Sequence, residues 1–119
     1  MNKVIHFEIP AKDYERAKDF YATLFGWKIE EWPDGPMRYG MATTTEKDKD
    51  GINGAIMEAE PGVEVTIITI DVDSIDDHLK RIVEMGGTVV VPKQKVGDMG
   101  YMARFKDTEG NVVGLWENG

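Results

Sequence analysis

An internal duplication constrains the fold of this chain more than any other feature of its sequence. Residues 50–58 match residues 109–117 at a constant offset of 59, and an offset of 61 carries Ile9 to Ile70 earlier in the two halves. A duplication of this length predicts two similar units, neither of which would cover its own sheet alone. We therefore expect the residues at matched positions to decide what the chain does.

Hydrophobic periodicity predicts the order strand, helix, strand, strand, strand in each half. Asp13 is the predicted N-cap of the first helix and Gly26 ends it, whereas Ser74 or Asp73 begins the second helix and Gly86-Gly87 ends it. The remaining predicted elements of the first half are strands over 4–10, 27–32, 37–43 and 53–57, with a turn over 33–36; the second half begins with a strand over 65–72.

The duplication extends through the middle of each half. The offset of 61 also sets residues 40–42 against residues 101–103. Pro92 and residues 93–97 predict a longer excursion between two strands of the second half. Lys93 and Lys95 would either lie over the mouth of a binding groove and attract an anion or, as we prefer, solvate a mobile segment. We predict an α+β fold in a single domain, residues 1–119, made of two βαβββ repeats at about 1–58 and 62–119.

The composition excludes several classes of function. The chain carries 22 acidic and 14 basic residues, a formal net charge of −8, and its basic residues do not cluster with aromatic ones. We therefore predict no nucleic-acid partner. The absence of cysteine excludes a disulfide framework and a zinc–thiolate site. No apolar run approaches the roughly 20 residues of a membrane helix and no leader is evident, so we predict a cytoplasmic protein with no membrane partner.

Several segments resemble the glyoxalase I, bleomycin-resistance and extradiol-dioxygenase superfamily, also called vicinal oxygen chelate proteins. They are the first strand with His6, residues 20–27 (FYATLFGW), the pair Gly86-Gly87, and residues 105–117 (FKDTEGNVVGLWE). The resemblance covers essentially the whole chain. It implies that the curved mixed sheets of the two repeats enclose a groove that binds a small molecule, and that the protein is a homodimer.

The resemblance also implies where a metal would bind. In metal-using members, four ligands point into the groove, one from the first and one from the last strand of each repeat. The matching positions here are His6, Ile67, Ala55 and Gly114, and His6 alone carries a donor side chain. A catalytic zinc or nickel site generally has at least three protein donors. We therefore predict a degenerate metal tetrad and no metal cofactor.

A divalent metal (Zn, Ni, Mn or Fe) bound by His6, Glu8 and Glu117 is the alternative. Strand alternation opposes it, because Glu117 lies three residues after Gly114 and so falls on the opposite face of the strand. Bringing its carboxylate to the other face would need a β-bulge. A solvated carboxylate at the strand end is the simpler explanation of Glu117.

His6 and Glu8 are the candidate catalytic residues. Both lie on the polar face of the first strand, where a carboxylate two residues away would hold an imidazole in one tautomer or keep it charged. A hydrogen-bonded structural histidine is the alternative explanation of His6. The same alternation nominates further groove-lining, ligand-binding residues: Met41, Thr43, Met57, Met102, Arg104 and Trp116.

Arg104 is the cation among these lining residues, and the sequence leaves two roles open for it. Its guanidinium would either form an ion pair with Glu8 or bind a carboxylate or phosphate of an anionic ligand. The preferred prediction is a small-molecule-binding member of the superfamily, or a metal-independent enzyme. The alternative is a divalent-metal-dependent lyase, isomerase or dioxygenase that acts on a substrate with vicinal oxygens.

Overall fold

The computed structural model describes residues 1–33, 35–61 and 63–119. The chain forms two compact units: an N-terminal unit, His6–Thr66, and a C-terminal unit, Met1–Ile5 with Ile67–Gly119. The turn predicted over 33–36 and the start of the second repeat predicted at about 62 fall on Asp34 and Gly62, which lie outside the described residues. The repeat boundaries therefore stay a prediction.

The N-terminal unit is a four-stranded sheet with one helix packed on one face. Its elements are β1 (Val4–Ala11, of which His6 onward belongs to this unit), α1 (Tyr14–Phe25), β2 (Lys28–Glu31), β3 (Tyr39–Thr43) and β4 (Gly54–Glu58). The strands lie in the order β2, β3, β4, β1. β1 and β4 are parallel, and the other neighbours are antiparallel. The βαβββ order predicted for the first half is confirmed.

The buried core of this unit lies on one face of its sheet. Ala11, Tyr14 and Ile56 are buried together between the sheet and α1, and the partly buried residues packed against them are Ile9, Ala17, Tyr21, Trp27 and Ile29. Because side chains alternate along a strand, His6 and Glu8 lie on the face of β1 turned away from α1. We call this face of each sheet, opposite its helix, the distal face.

The C-terminal unit repeats this arrangement. Its elements are β5 (Ile67–Asp71), α2 (Ile75–Glu84), β6 (Thr88–Val96), β7 (Gly100–Lys106) and β8 (Val112–Asn118). The strands lie in the order β5, β8, β7, β6, with β5 and β8 parallel. Val72, Ile75, Ala103 and Leu115 form the buried core against α2. In this unit too, the βαβββ order is confirmed.

The predicted helix caps are also confirmed. The Asp13 carboxylate accepts a hydrogen bond from a backbone N–H of the first turn of α1, and Gly26 ends that helix in the left-handed region at a φ of 71°. Of the two candidates for α2, Ser74 rather than Asp73 is the N-cap. Its hydroxyl accepts a hydrogen bond from the Asp77 N–H at 3.2 Å. In the described part of the chain, neither helix has the length and apolar character to span a membrane.

Two sequence predictions for the C-terminal unit are wrong. The excursion predicted over 93–97 does not occur, because β6 extends to Val96 and takes up the irregularity as shifts of register against β7. Lys93 does not solvate a mobile segment: its ammonium lies 4.5 Å from the ring centroid of Tyr101 and contacts the carboxylates of Asp76 and Glu117.

The predicted alignment of β3 with β7 is also wrong. Met41 pairs with Ala55, and Arg104 pairs with Gly114, which stands 59 residues after Ala55. Met41 therefore corresponds to Arg104, at an offset of 63 rather than 61. The difference of two residues preserves the alternation of faces, so the predicted orientation of these strands is unaffected.

Candidate functional site

Three polar side chains on the distal face of the N-terminal unit form a hydrogen-bonded chain. Nε2 of His6 lies 2.7 Å from the hydroxyl oxygen of Tyr39, and that hydroxyl donates to Oε2 of Glu8 at 2.6 Å. The His6 and Tyr39 rings are stacked, with planes inclined by 11° and centroids 6.4 Å apart. The structure thus brings together the two predicted catalytic residues and a third residue that the sequence did not single out.

The sheet order explains how this network forms. β4 lies between β1 and β3, so Tyr39 at the start of β3 has to reach across β4 to meet the side chains of β1. On the distal face of β4, directly beside Glu8 in the parallel register, stands Ala55. Its methyl group is small and fully buried, which leaves room above it for a longer side chain. The alanine at a position where the resemblance implies a metal ligand thus makes space for the tyrosine.

Burial favours the neutral form of His6. Only 9% of Glu8 is exposed, and His6 is partly buried. Desolvation lowers the pKa of His6 below its ordinary value, and the nearby Glu8 carboxylate opposes that shift without cancelling it. His6 is therefore a neutral imidazole near pH 7, in which one ring nitrogen carries a proton and the other carries a lone pair.

The predicted ligand-binding residues lie on the distal faces, each set within its own unit. In the N-terminal unit, Met57 is buried opposite Tyr39, and Met41 and Thr43 follow on β3, with Thr43 exposed. In the C-terminal unit, Met102 pairs with Trp116, and Arg104 pairs with Gly114. These placements agree with the predicted alternation. The ligand-binding roles themselves stay predictions.

Tyr39 is the functional candidate that sequence reasoning missed. The signal was present, because Tyr39 shares the alternation of Met41 and Thr43 within the predicted strand over 37–43. A second polar residue was also missed: the offset of 61 carries Glu8 to Thr69, which is 8% exposed on the distal face of β5. Thr69 is paired with Gly114 in the parallel register, as Glu8 is with Ala55.

The residues at the four ligand positions of the family do not fit a metal ion. Ile67 and Ala55 are fully buried apolar side chains, and a Cβ at Gly114 would lie 2.8 Å from Oγ1 of Thr69. Gly114 thus lacks room for any side chain without a shift of its neighbour. Across residues 1–33, 35–61 and 63–119, no three His, Asp or Glu side chains are grouped closely enough to hold a metal.

Glu117 lies on the helix face of its sheet rather than the distal face. Its Oε1 accepts a hydrogen bond from the backbone N–H of Ile75 at 2.8 Å, and Oε2 lies 3.5 Å from Nζ of Lys93. The predicted face of Glu117 is therefore confirmed, but its description as a solvated carboxylate is wrong. Glu117 caps the start of α2 and is turned away from the distal face that carries the other candidate residues of its unit.

A shallow cavity of about 350 Å³ lies on the other side of the N-terminal unit, between the end of β1 and α1. Its lining includes the apolar residues Ile9, Ala17 and Phe20, together with Tyr21 and Arg16. The cavity contains none of the three network residues. The cavity and the hydrogen-bonded network therefore lie at different places in this unit. The distal-face network, which joins buried titratable groups, is the better candidate for function.

Comparison with known proteins gives one family. The model of the Glyoxalase/Bleomycin resistance protein/Dioxygenase superfamily matches residues 3–115. Two curated relatives, named "Putative glyoxylase CFP32" in Mycobacterium bovis and in Mycobacterium tuberculosis, are each 34% identical over 113 residues, which is 92% of this chain. The matched region is 43% of each relative, so this chain spans less than half of their length.

Solved structures with the same fold include methylmalonyl-CoA epimerases. The enzyme from Mycobacterium tuberculosis superposes with a TM-score of 0.72 at 14% identity, over 98% of this chain and 87% of that chain. An epimerase in complex with methylmalonyl-CoA and NH4+ gives a TM-score of 0.73 at 17% identity, over 100% and 96% of the two chains. At such identities the likeness shows the fold alone. With its βαβββ units and the match over residues 3–115, the chain belongs to the Glyoxalase/Bleomycin resistance protein/Dioxygenase superfamily.

Proposed function

We propose that this chain binds a small organic molecule on the distal face of its N-terminal sheet and does so without a resident metal. If the molecule is turned over, His6 and Glu8 are the acid–base pair. The observation that carries this proposal is the His6–Tyr39–Glu8 chain. Burying an imidazole and a carboxylate costs free energy. Burial lowers the pKa of His6, and titratable groups perturbed in this way concentrate at functional sites.

The surroundings of this chain suit a small organic ligand. Met41 and Met57 share its face and provide flexible, polarisable apolar surface. A few polar groups beside apolar surface are typical of small-molecule sites. In the C-terminal unit, Met102, Trp116 and Arg104 offer a similar mixture. We propose that Arg104 binds a carboxylate or phosphate of a ligand on the distal face of its own unit, because a guanidinium forms paired hydrogen bonds with such groups.

The comparisons suggest which ligands to try. The curated relatives carry the name glyoxylase, and one structural neighbour holds methylmalonyl-CoA, an acidic thioester. An anionic ligand agrees with the presence of Arg104 on a distal face of a chain whose net charge is −8. Malonate and methylmalonyl-CoA are therefore suitable first probes.

Metal content and ligand binding test this proposal together. Protein purified without chelator is analysed for Zn, Ni, Mn and Fe, beside the variant His6→Ala. We expect substoichiometric metal in both. Stoichiometric metal that disappears in His6→Ala would overturn the metal-independent function and favour the metal-dependent lyase, isomerase or dioxygenase.

Binding is followed by NMR titration of the methionine methyl groups with malonate and with methylmalonyl-CoA. We expect the signals of Met41 and Met57 to shift, with loss of the effect in His6→Ala. The matched control is Met85, which is exposed beside α2, and its signal should not move. Shifts confined to the cavity at α1, reported by the ring of Phe20, would place ligand binding on the wrong face for our proposal.

We also propose a homodimer, as the family resemblance implies. The apolar side chains of Phe20, Leu24 and Phe25 are more than half exposed on α1 and at its end, which is consistent with a covering partner. Light scattering coupled to size-exclusion chromatography would give the mass directly. A mass equal to that of one 13.4 kDa chain across the concentration range would exclude the dimer.

A further inference from the structure

We propose that Tyr39 is the positioning residue of this site: its hydroxyl holds His6 as the Nε2–H tautomer and thereby makes Nδ1 the proton acceptor that meets the ligand. This inference rests on the proposed function, because it assigns the donor and the acceptor of each hydrogen bond in the His6–Tyr39–Glu8 chain of the same site. It also defines the class of ligand, which must present a weakly acidic proton to a neutral imidazole nitrogen.

The direction follows from donor and acceptor rules. An ionised carboxylate accepts hydrogen bonds and cannot donate them. The 2.6 Å separation between the Tyr39 hydroxyl and Oε2 of Glu8 lies in the range of a charge-assisted O–H···O⁻ bond, about 2.5–2.7 Å. The single hydroxyl proton of Tyr39 is therefore directed at Glu8. In the 2.7 Å contact with His6, Tyr39 is left as the acceptor, so Nε2 must carry the proton.

This assignment leaves the lone pair of the neutral imidazole on Nδ1. The lowered pKa of His6 agrees with an uncharged ring that can accept a proton. The opposite tautomer would place a lone pair on Nε2, and Tyr39 would then have to supply two protons to satisfy both neighbours. A tyrosine hydroxyl has one.

The arrangement is suited to removing a proton from a carbon next to a carbonyl group. Nδ1 takes the proton, the C–H bonding pair forms a double bond between that carbon and the carbonyl carbon, and the carbonyl π pair moves onto the oxygen to give an enolate. The Nε2 proton moves to the Tyr39 oxygen while Tyr39 gives its own proton to Glu8. His6 and Tyr39 end neutral, Glu8 ends protonated, and the negative charge has moved to the enolate, so no further reactant is consumed.

The second unit indicates that the fold does not need this network. The positions that match His6, Glu8 and Tyr39 are Ile67, Thr69 and Met102, as the strand pairings establish. All three members of the network are replaced there, yet the C-terminal unit forms the same βαβββ sheet with its helix. A role in ligand chemistry explains why one unit has all three together, whereas a requirement of the fold would apply to both.

The tautomer is measured by NMR on the ¹⁵N-labelled full chain, in which protonated and unprotonated ring nitrogens of His6 have distinct shifts. We expect a protonated Nε2 and an unprotonated Nδ1. Tyr39→Phe keeps the stacked ring but removes the hydroxyl, and it should give a mixture of tautomers. Tyr101→Phe, which removes a hydroxyl on the helix face of β7, is the matched control and should leave His6 unchanged. A protonated Nδ1 in the unaltered protein would overturn the inference without any variant.

Proton transfer is measured separately, by deuterium incorporation into methylmalonyl-CoA in D₂O. We expect Tyr39→Phe to slow exchange by about tenfold or more and His6→Asn by more, with no loss in Tyr101→Phe. If the tautomer is as expected but exchange in the unaltered protein equals the rate in buffer, the acid–base role in the proposed function fails. If exchange is catalysed and Tyr39→Phe leaves it unchanged, the role of Tyr39 fails and the proposed function stands.

Discussion

The substitution Glu117→Ala tests the assignment of this carboxylate to the helix face. In the structure, Glu117 at the end of β8 accepts a hydrogen bond from the backbone N–H of Ile75, the first residue of α2. Ile75 is fully buried, so no water molecule would readily replace the lost acceptor. We therefore expect Glu117→Ala to destabilise the folded chain through the loss of this one hydrogen bond, with no contact on the distal face changed.

The magnitude follows from two terms. Leaving a buried backbone N–H of a helix start without an acceptor costs about 1–2 kcal/mol. Removing a negative charge from a helix N-terminus costs about 0.5 kcal/mol more. The contact with Lys93 adds little, because solvent and salt screen it. The free energy of unfolding should thus fall by about 2 kcal/mol, which lowers Tm by roughly 6–10 °C for a domain of this size.

Urea and thermal unfolding followed by circular dichroism measure this loss. Glu64→Ala is the matched control, because Glu64 is an exposed residue outside the strands and helices, and it should change the free energy of unfolding by less than about 0.5 kcal/mol. The measurement is repeated with a chelator. A metal ligand would lose its stabilising effect once metal is removed, whereas a helix cap would not. Equal stability of Glu117→Ala and Glu64→Ala would refute our assignment of the cap.

Three further predictions address other parts of the molecule. Burial lowers the pKa of His6, so His6 takes up a proton in the unfolded chain before it does in the folded chain as pH falls below 6.5, and the free energy of unfolding declines there. In His6→Asn this part of the decline should be absent from urea unfolding measured at successive pH values. Gly40→Ala should lower the free energy of unfolding by about 1–3 kcal/mol, because its Cβ would stand 2.2 Å from the Tyr14 hydroxyl, and an unchanged urea midpoint would contradict this packing. Hydrogen bonds from Asn111, chiefly its backbone N–H, lower the pKa of Asp107. The stability that the ionised Asp107 contributes is therefore present above pH 3.8 and is lost as pH falls through the lowered pKa. Asp107→Asn should make the Tm less sensitive to acid.

Alternation along strands predicted the faces of the candidate residues but could not predict their partners. The orientation of His6, Glu8 and Glu117 follows from local periodicity, which one strand contains by itself. The contact of Tyr39 with His6 depends on the sheet order, which places β3 two strands from β1. That order is a non-local property, and nothing in the residues around 39 specifies it.

Loop lengths explain why the alignment of β3 with β7 failed. Eleven residues separate the paired Ala42 and Gly54, whereas seven separate the equivalent pair Phe105 and Val113, and this difference of four is the change of offset from 63 for β3 to 59 for β4. A fixed offset cannot hold across hairpins of unequal length, although it holds for the first strands and the helices. The error of two residues in the offset left the predicted faces unchanged, but it matched Met41 with Met102 instead of with Arg104.

The helix faces of the two units share one set of contacts around a cation and a carboxylate. Glu58 and Glu117 occupy matched positions; the first accepts a hydrogen bond from the backbone N–H of Arg38 and the second caps α2. The cations Arg38 and Lys93 each lie over a tyrosine ring and contact the carboxylate of the second residue of a helix, Glu15 and Asp76 respectively.

These two cations come from different places in the chain, one just before β3 and the other within β6, yet they make equivalent contacts. The same type of contact thus recurs from different sequence positions in the two units. The distal faces differ in character, because Ile67 and Thr69 stand at the positions that match His6 and Glu8. Contacts that join helix to sheet are therefore shared by both units, whereas the hydrogen-bonded imidazole, phenol and carboxylate belong to the N-terminal unit, as we expect of groups that serve a ligand rather than the fold.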